Sequence, residues 1–122
     1  MLSRAYIERE IRRYLRSLPI NVKFAILFGS SLSGERLRDS DIDLIIISED
    51  FKGMPFERRM LILQKYWKHK ILLEAFGFTE EEFERLKSKS LVVQEAMEKG
   101  KIILIRKKDK SSDSLKQIGP VD

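Results

Sequence analysis

Residues 24–30 read Phe24-Ala25-Ile26-Leu27-Phe28-Gly29-Ser30, and after ten intervening residues the chain continues Asp41-Ile42-Asp43-Leu44-Ile45-Ile46-Ile47. Each run is short, apolar and bounded by polar residues, the pattern of a buried strand. Ile42 to Ile47 is rich in β-branched residues and apolar on both sides, as expected of a central strand covered on both faces. The first strand delivers a Gly-Ser turn. The second carries two carboxylates at its start.

Chemistry follows from that order. A glycine after a strand lets another group approach the backbone closely, because no Cβ stands in the way. The amides of Ser30 and Ser31, with the Ser30 hydroxyl, could then donate to phosphate oxygens, helped by the positive end of any helix that starts there. Asp41 and Asp43 lie two apart on a strand, so their side chains project from the same face. Carboxylates that close repel unless a cation or a proton sits between them. Magnesium suits such a pair, since it takes hard oxygen ligands and shares its shell with substrate phosphates. Either feature alone reads more simply, as an ordinary turn or as a solvated strand entry capped by Asp39, Ser40 and Asp41.

Moving outward, Ser3 to Leu18 is predicted as an amphipathic helix, with Tyr6, Ile7, Ile11, Tyr14, Leu15 and Leu18 on one side and Pro19 ending it. Ser31 to Arg38, with small polar residues and Gly34, reads as a short helix or loop. Glu49 to Pro55 is a loop. Phe56 to Lys68 returns to helical spacing, and Lys70 to Phe78 is a third apolar run. Thr79 with Glu82 three positions on forms a capping box that opens a helix through Phe83, Leu86, Val93 and Met97, broken near Ser88 to Ser90 and stopped by Gly100. Ile102 to Ile105 is a fourth strand. The order is α-β-(α)-β-α-β-α-β: one α/β (α+β) domain over residues 1–106, a small mixed sheet of four strands with helices packed on it. Residues 107–122, rich in Lys, Ser and Asp, read as a flexible polar tail.

Bulk composition narrows the classes. A chain of 122 residues fits one domain with an adequate core. It contains no cysteine, which excludes disulfides and thiolate metal sites. Its apolar runs are far shorter than a membrane span, and charges interrupt Met1 to Arg13 where a secretory signal would need an apolar centre. A reducing cytoplasm is the expected compartment. One Asn and three Gln beside 24 Lys and Arg lean towards a thermophilic source. The net charge of +5 is a mild preference for anions.

Glu74 is the only charge between Ile71 and Phe78, and a charge on an apolar strand is costly unless it is paired or liganded. If this strand lies beside the Ile42 strand, Glu74 faces the same metals as a third ligand, or as the group that draws a proton from an attacking hydroxyl. Otherwise it is an edge-strand charge facing water. His69, the only histidine, is expected to cap a helix or face solvent. Arg36 and Arg38 could reach phosphate or lie on solvated surface. Trp67, Tyr66 and Phe56 fit helix-to-sheet packing better than base stacking. The basic residues from Lys101 to Lys110 have few aromatics near them, so a dedicated nucleic-acid surface is not expected.

Gly29-Ser30, ten residues and Asp41-Ile42-Asp43, followed by the flanked acid Leu73-Glu74-Ala75, resemble the minimal nucleotidyltransferases (MNT) of the DNA polymerase β-like superfamily. The resemblance spans residues 5–105, with Glu74 standing where many members have Asp. It implies the nucleotidyltransferase fold and transfer of a nucleoside monophosphate, usually AMP from ATP, with release of pyrophosphate. Gly29, Ser30 and Ser31 would hold the triphosphate. Asp41, Asp43 and Glu74 would bind two magnesium ions. The resemblance further implies a helical HEPN protein as partner, in a toxin–antitoxin pair whose antitoxin is the transferase-like member. The competing reading is a catalytically weak or inactive interaction module that neutralises such a partner by binding alone.

Overall fold

Ser3 opens the first helix by accepting a hydrogen bond from the Tyr6 amide on its hydroxyl, and α1 runs Arg4–Ser17. Leu18 is already extended, as the ring of Pro19 requires of the residue before it. The computed structural model describes residues 3–29 and 42–105. The segment expected at Ser31 to Arg38 and the tail expected at 107–122 lie outside the described residues.

Among the described residues four strands follow: β1 (Phe24–Phe28), β2 (Ile42–Ile47), β3 (Leu73–Phe78) and β4 (Lys101–Leu104). They form one mixed sheet in the order β3-β2-β1-β4. β1 is antiparallel to both β2 and β4, whereas β2 and β3 are parallel. A parallel pair needs a crossover. Here it holds a 3-10 turn at Glu49–Phe51 and helix α2 (Phe56–Lys65).

Alternation along β2 explains why its sequence is apolar throughout. Ile42, Leu44 and Ile46 join Ala25, Leu27 and Ile103 in a core with Ile7, Ile11 and Leu15 of α1 and Leu63 of α2. Ile45 and Ile47 point the other way, with Ile26 and Phe28, into a core closed by Phe83, Val93 and Ala96. The sheet therefore has helices on both faces, and its inner strands have no polar side along most of their length. Among the described residues no helix is long and apolar enough to cross a membrane.

The helix predicted after Thr79 is two helices, α3 (Glu80–Leu86) and α4 (Leu91–Lys99). The Thr79–Glu82 capping box is formed in full. The break falls where expected because Ser90 caps α4, accepting from the Val93 amide. α2 stops at Lys65, three residues before its expected end. Residues 66–72 turn instead, so that the Trp67 ring packs edge-on against Tyr14 and its Nε1 donates to the Ile71 carbonyl at 2.6 Å. That turn also delays β3 to Leu73.

Gly77 shows how tightly the crossover is seated on the sheet. A Cβ there would lie 2.6 Å from Cζ of Phe51, a ring with no exposure. Gly77→Ala should cost about 1–3 kcal/mol by overpacking. Combined with Phe51→Leu it should cost less than the sum of the single changes, as measured by chemical denaturation.

Candidate active site

The candidate site lies where β1 ends and where β2 and β3 begin. In the antiparallel pair Phe28 stands opposite Asp43. Gly29, one residue beyond β1, has φ of +123°, a conformation that only glycine adopts without strain. A Cβ on Gly29 would sit 2.9 Å from Oδ2 of Asp43 and 3.4 Å from its Cγ. The backbone of the glycine turn thus lies directly against the Asp43 carboxylate. Asp43 is half-buried, and its Oδ1 is shielded from solvent.

On its other side Asp43 is in register with Glu74. Paired positions on neighbouring strands are about 4.8 Å apart and point to the same face. The third apolar run does lie beside β2, the condition on which Glu74 could join Asp43, with the acid at the matching position. Glu74 is exposed on an edge strand, and Phe76, two residues on, shares its face. Phe28 and Ile45 form a dry floor beneath.

Strand alternation thus brings three of the predicted residues together: Gly29, Asp43 and Glu74. Ser30, Ser31 and Asp41, with Arg36 and Arg38, lie outside the described residues. Among the described residues no three histidine, aspartate or glutamate side chains converge. Two neighbouring acids with hard oxygen donors, beside a backbone free of a Cβ, can accommodate a cation and the phosphate that accompanies it.

His69 is not at this site. Its ring is half-buried, with Nε2 3.2 Å from the Tyr6 hydroxyl and Nδ1 accepting from the Ile71 amide at 3.3 Å. It fastens the turn before β3 rather than facing solvent. Trp67 and Tyr66 pack against the core on the α1 side, but from the turn after α2 rather than from a helix, whereas Phe56 is 53% exposed.

A family model described as a nucleotidyltransferase domain matches residues 8–114. The crystal structure of a "putative nucleotidyltransferase" from Sulfolobus solfataricus is 24% identical, covering 65% of this chain and 68% of that one, with a TM-score of 0.46. No curated protein matches the chain.

Proposed function

Because the chain belongs to the nucleotidyltransferase domain family, we propose that it transfers AMP from ATP to a hydroxyl of a partner protein, releasing pyrophosphate. The observation that supports this most is the contact between the Gly29 backbone and the Asp43 carboxylate, with Glu74 in register beside it. A phosphate cradle and acidic groups are useful to nucleotidyl transfer only when adjacent, and the closeness of the Gly29 turn to Asp43 supports that reading.

In this reading Gly29, Ser30 and Ser31 hold the triphosphate, with close approach allowed by the missing Cβ. The donor set fits magnesium, being hard carboxylate oxygens, and Asp41, Asp43 and Glu74 are the residues that would hold two such ions. Magnesium, when bound, supplies the positive charge that offsets the crowded acids and polarises the phosphoryl oxygens. The dry floor of Phe28 and Ile45 keeps Asp43 partly desolvated, which strengthens its electrostatic interactions. Glu74, exposed at the edge of the sheet, would in this reading meet an incoming hydroxyl and take its proton on a carboxylate oxygen. The partner is proposed to be a HEPN-type helical protein, with this chain the MNT antitoxin. Support for that last step is the motif resemblance alone.

The test is intact-mass measurement after incubating the chain with Mg-ATP and the product of the neighbouring reading frame, which this reading expects to be helix-rich. A gain of one AMP on the partner is expected, reduced about 100-fold or more by Asp43→Asn, the scale of losing one preorganised charge-stabilising group. No adduct on either protein with any of the four ribonucleotides would overturn the reading. One observation favours the alternative of a binding module, namely the exposure of Glu74 on an edge strand. In that case Asp43→Asn leaves neutralisation of the partner intact.

A further inference from the structure

On the opposite face of the sheet from Asp43 and Glu74, α1 meets the turn after α2 through a row of rings. Tyr6 and His69 have centroids 5.8 Å apart, His69 and Trp67 5.7 Å, and Trp67 and Tyr14 5.2 Å. The polar atoms of these rings are spent internally. Tyr14 donates to the Leu63 carbonyl at 2.6 Å and Trp67 to that of Ile71, while His69 is tied to Tyr6 and Ile71. What remains on offer is aromatic surface.

A cavity of about 230 Å³ opens against this row, lined by Tyr14, Tyr66, Trp67 and His69 with Arg13 and Lys68. Outside the lining, two more cations sit on neighbouring rings. The Arg9 guanidinium lies 5.6 Å from the Tyr6 ring centre and the Lys65 ammonium 6.0 Å from that of Tyr66. Glu10 is the one carboxylate among the lining residues. Arg9 and Arg13 share one side of α1, four residues apart. Lys68 lines the facing wall, and Lys65 stands on the Tyr66 ring beside it.

We propose that this groove binds a single-stranded nucleic acid, with bases stacking on Tyr66 and Trp67 and phosphates following Arg9, Arg13, Lys65 and Lys68. Aromatic faces between cationic edges are what sequence-tolerant single-strand binding uses. An acidic peptide would be served by the charges and would leave the rings without a role. The surface is independent of the transferase reading. It also runs counter to the expectation that dedicated nucleic-acid binding is absent, because the fold joins residues 6–14 to 65–69, segments with no proximity in sequence.

Trp67 is the only tryptophan, so its fluorescence reports on the groove directly. Titrating the full chain with a short oligouridine should give saturable quenching. The binding constant should fall with salt at a log–log slope of about −3, as four cations on a single strand imply. Arg13→Gln combined with Lys68→Gln, both exposed, should weaken binding at least tenfold. The slope should then drop to about −1.5, with the thermal melt unchanged. Asp43→Asn should leave the quenching as it is. The proposal is overturned by no quenching at low salt, by a double variant that binds as tightly, or by an abasic oligomer that quenches equally. Polyglutamate binding as well as oligouridine would overturn it in favour of an acidic protein partner.

Discussion

Gly29→Ala should lower nucleotidyl transfer by about 100-fold or more while removing only about 1–3 kcal/mol of stability. The stability loss follows from φ of +123°, which an L side chain tolerates only at the cost of a strained backbone. The activity loss has a separate origin. The new methyl group would stand 2.9 Å from Asp43 Oδ2, so either the carboxylate rotates or the turn shifts. Misplacing a reacting group by about 1 Å is worth on the order of 10²-fold in rate. Gly53→Ala is the control. It too has positive φ, 77°, yet nothing lies within 4 Å of its Cβ position. That variant should lose about 1–2 kcal/mol and keep full activity. Paired denaturation and single-turnover measurements with Mg-ATP separate the two effects, and a fully active Gly29→Ala enzyme would remove the glycine cradle from the mechanism.

The second large effect is on folding. Arg59→Met should destabilise the chain by about 3–5 kcal/mol, the range for removing one member of a buried ion pair. Arg59 is only 2% exposed. Its Nε donates to the Met54 carbonyl at 2.9 Å, Nη1 to the Gly77 carbonyl at 2.9 Å, and Nη2 to that of Phe51 at 2.8 Å. The same fork grips Glu82 through both oxygens, at 2.7 and 3.1 Å. Its guanidinium lies 4.4 Å from the Phe56 ring centre and 5.3 Å from that of Phe51. One side chain thereby joins the 3-10 turn, α2, β3 and α3. Arg59→Lys should recover little, since an ammonium has no planar fork to divide among four acceptor groups.

This network has a pH signature. Hydrogen bonds from Arg59, and secondarily from Thr79, hold the Glu82 carboxyl below the usual carboxylate range, against the opposing effect of burial. A group whose pKa is depressed in the folded state stabilises fully above its unfolded value, about 4.3 for glutamate. That contribution is lost as pH falls through the depressed folded value. Glu82→Gln should therefore lower stability at neutral pH and flatten its decline below about pH 4. Denaturant melts across the acid range would show an unaltered slope if Glu82 were not coupled to folding.

Much of the arrangement was legible in the chain because it is local. Helix α1 followed from the spacing of Ile7, Ile11, Tyr14 and Leu15 and from Ser3 and Pro19 at its ends. The α3 cap followed from Thr79 and Glu82. The break before α4 followed from Ser90, whose hydroxyl competes for backbone amides within one turn. The end of α2 did not follow, since Tyr66 and Trp67 keep helical spacing. The Trp67 ring leaves the helix because Tyr14, more than fifty residues earlier, supplies its packing surface. His69 caps the Ile71 amide as a local residue can, but its second contact, to Tyr6 on α1, is long-range and has no signal in the sequence.

The sequence by itself determined which residues could carry the chemistry. A glycine ends a buried strand, an acid opens the next, and a single glutamate interrupts an apolar run. Each statement depends only on neighbours along the chain. Tertiary structure decided their juxtaposition. The antiparallel register of β1 and β2 sets Gly29 against Asp43, and the parallel register of β2 and β3 sets Glu74 beside it. Register is a property of strand pairs, fixed by which faces meet α1 and α2 and which meet α3 and α4. A slip of one residue in β3 would turn Glu74 into the opposite core, where an unpaired charge is prohibitively costly. The two-faced packing of the sheet therefore brings the glycine and both acids to a single point.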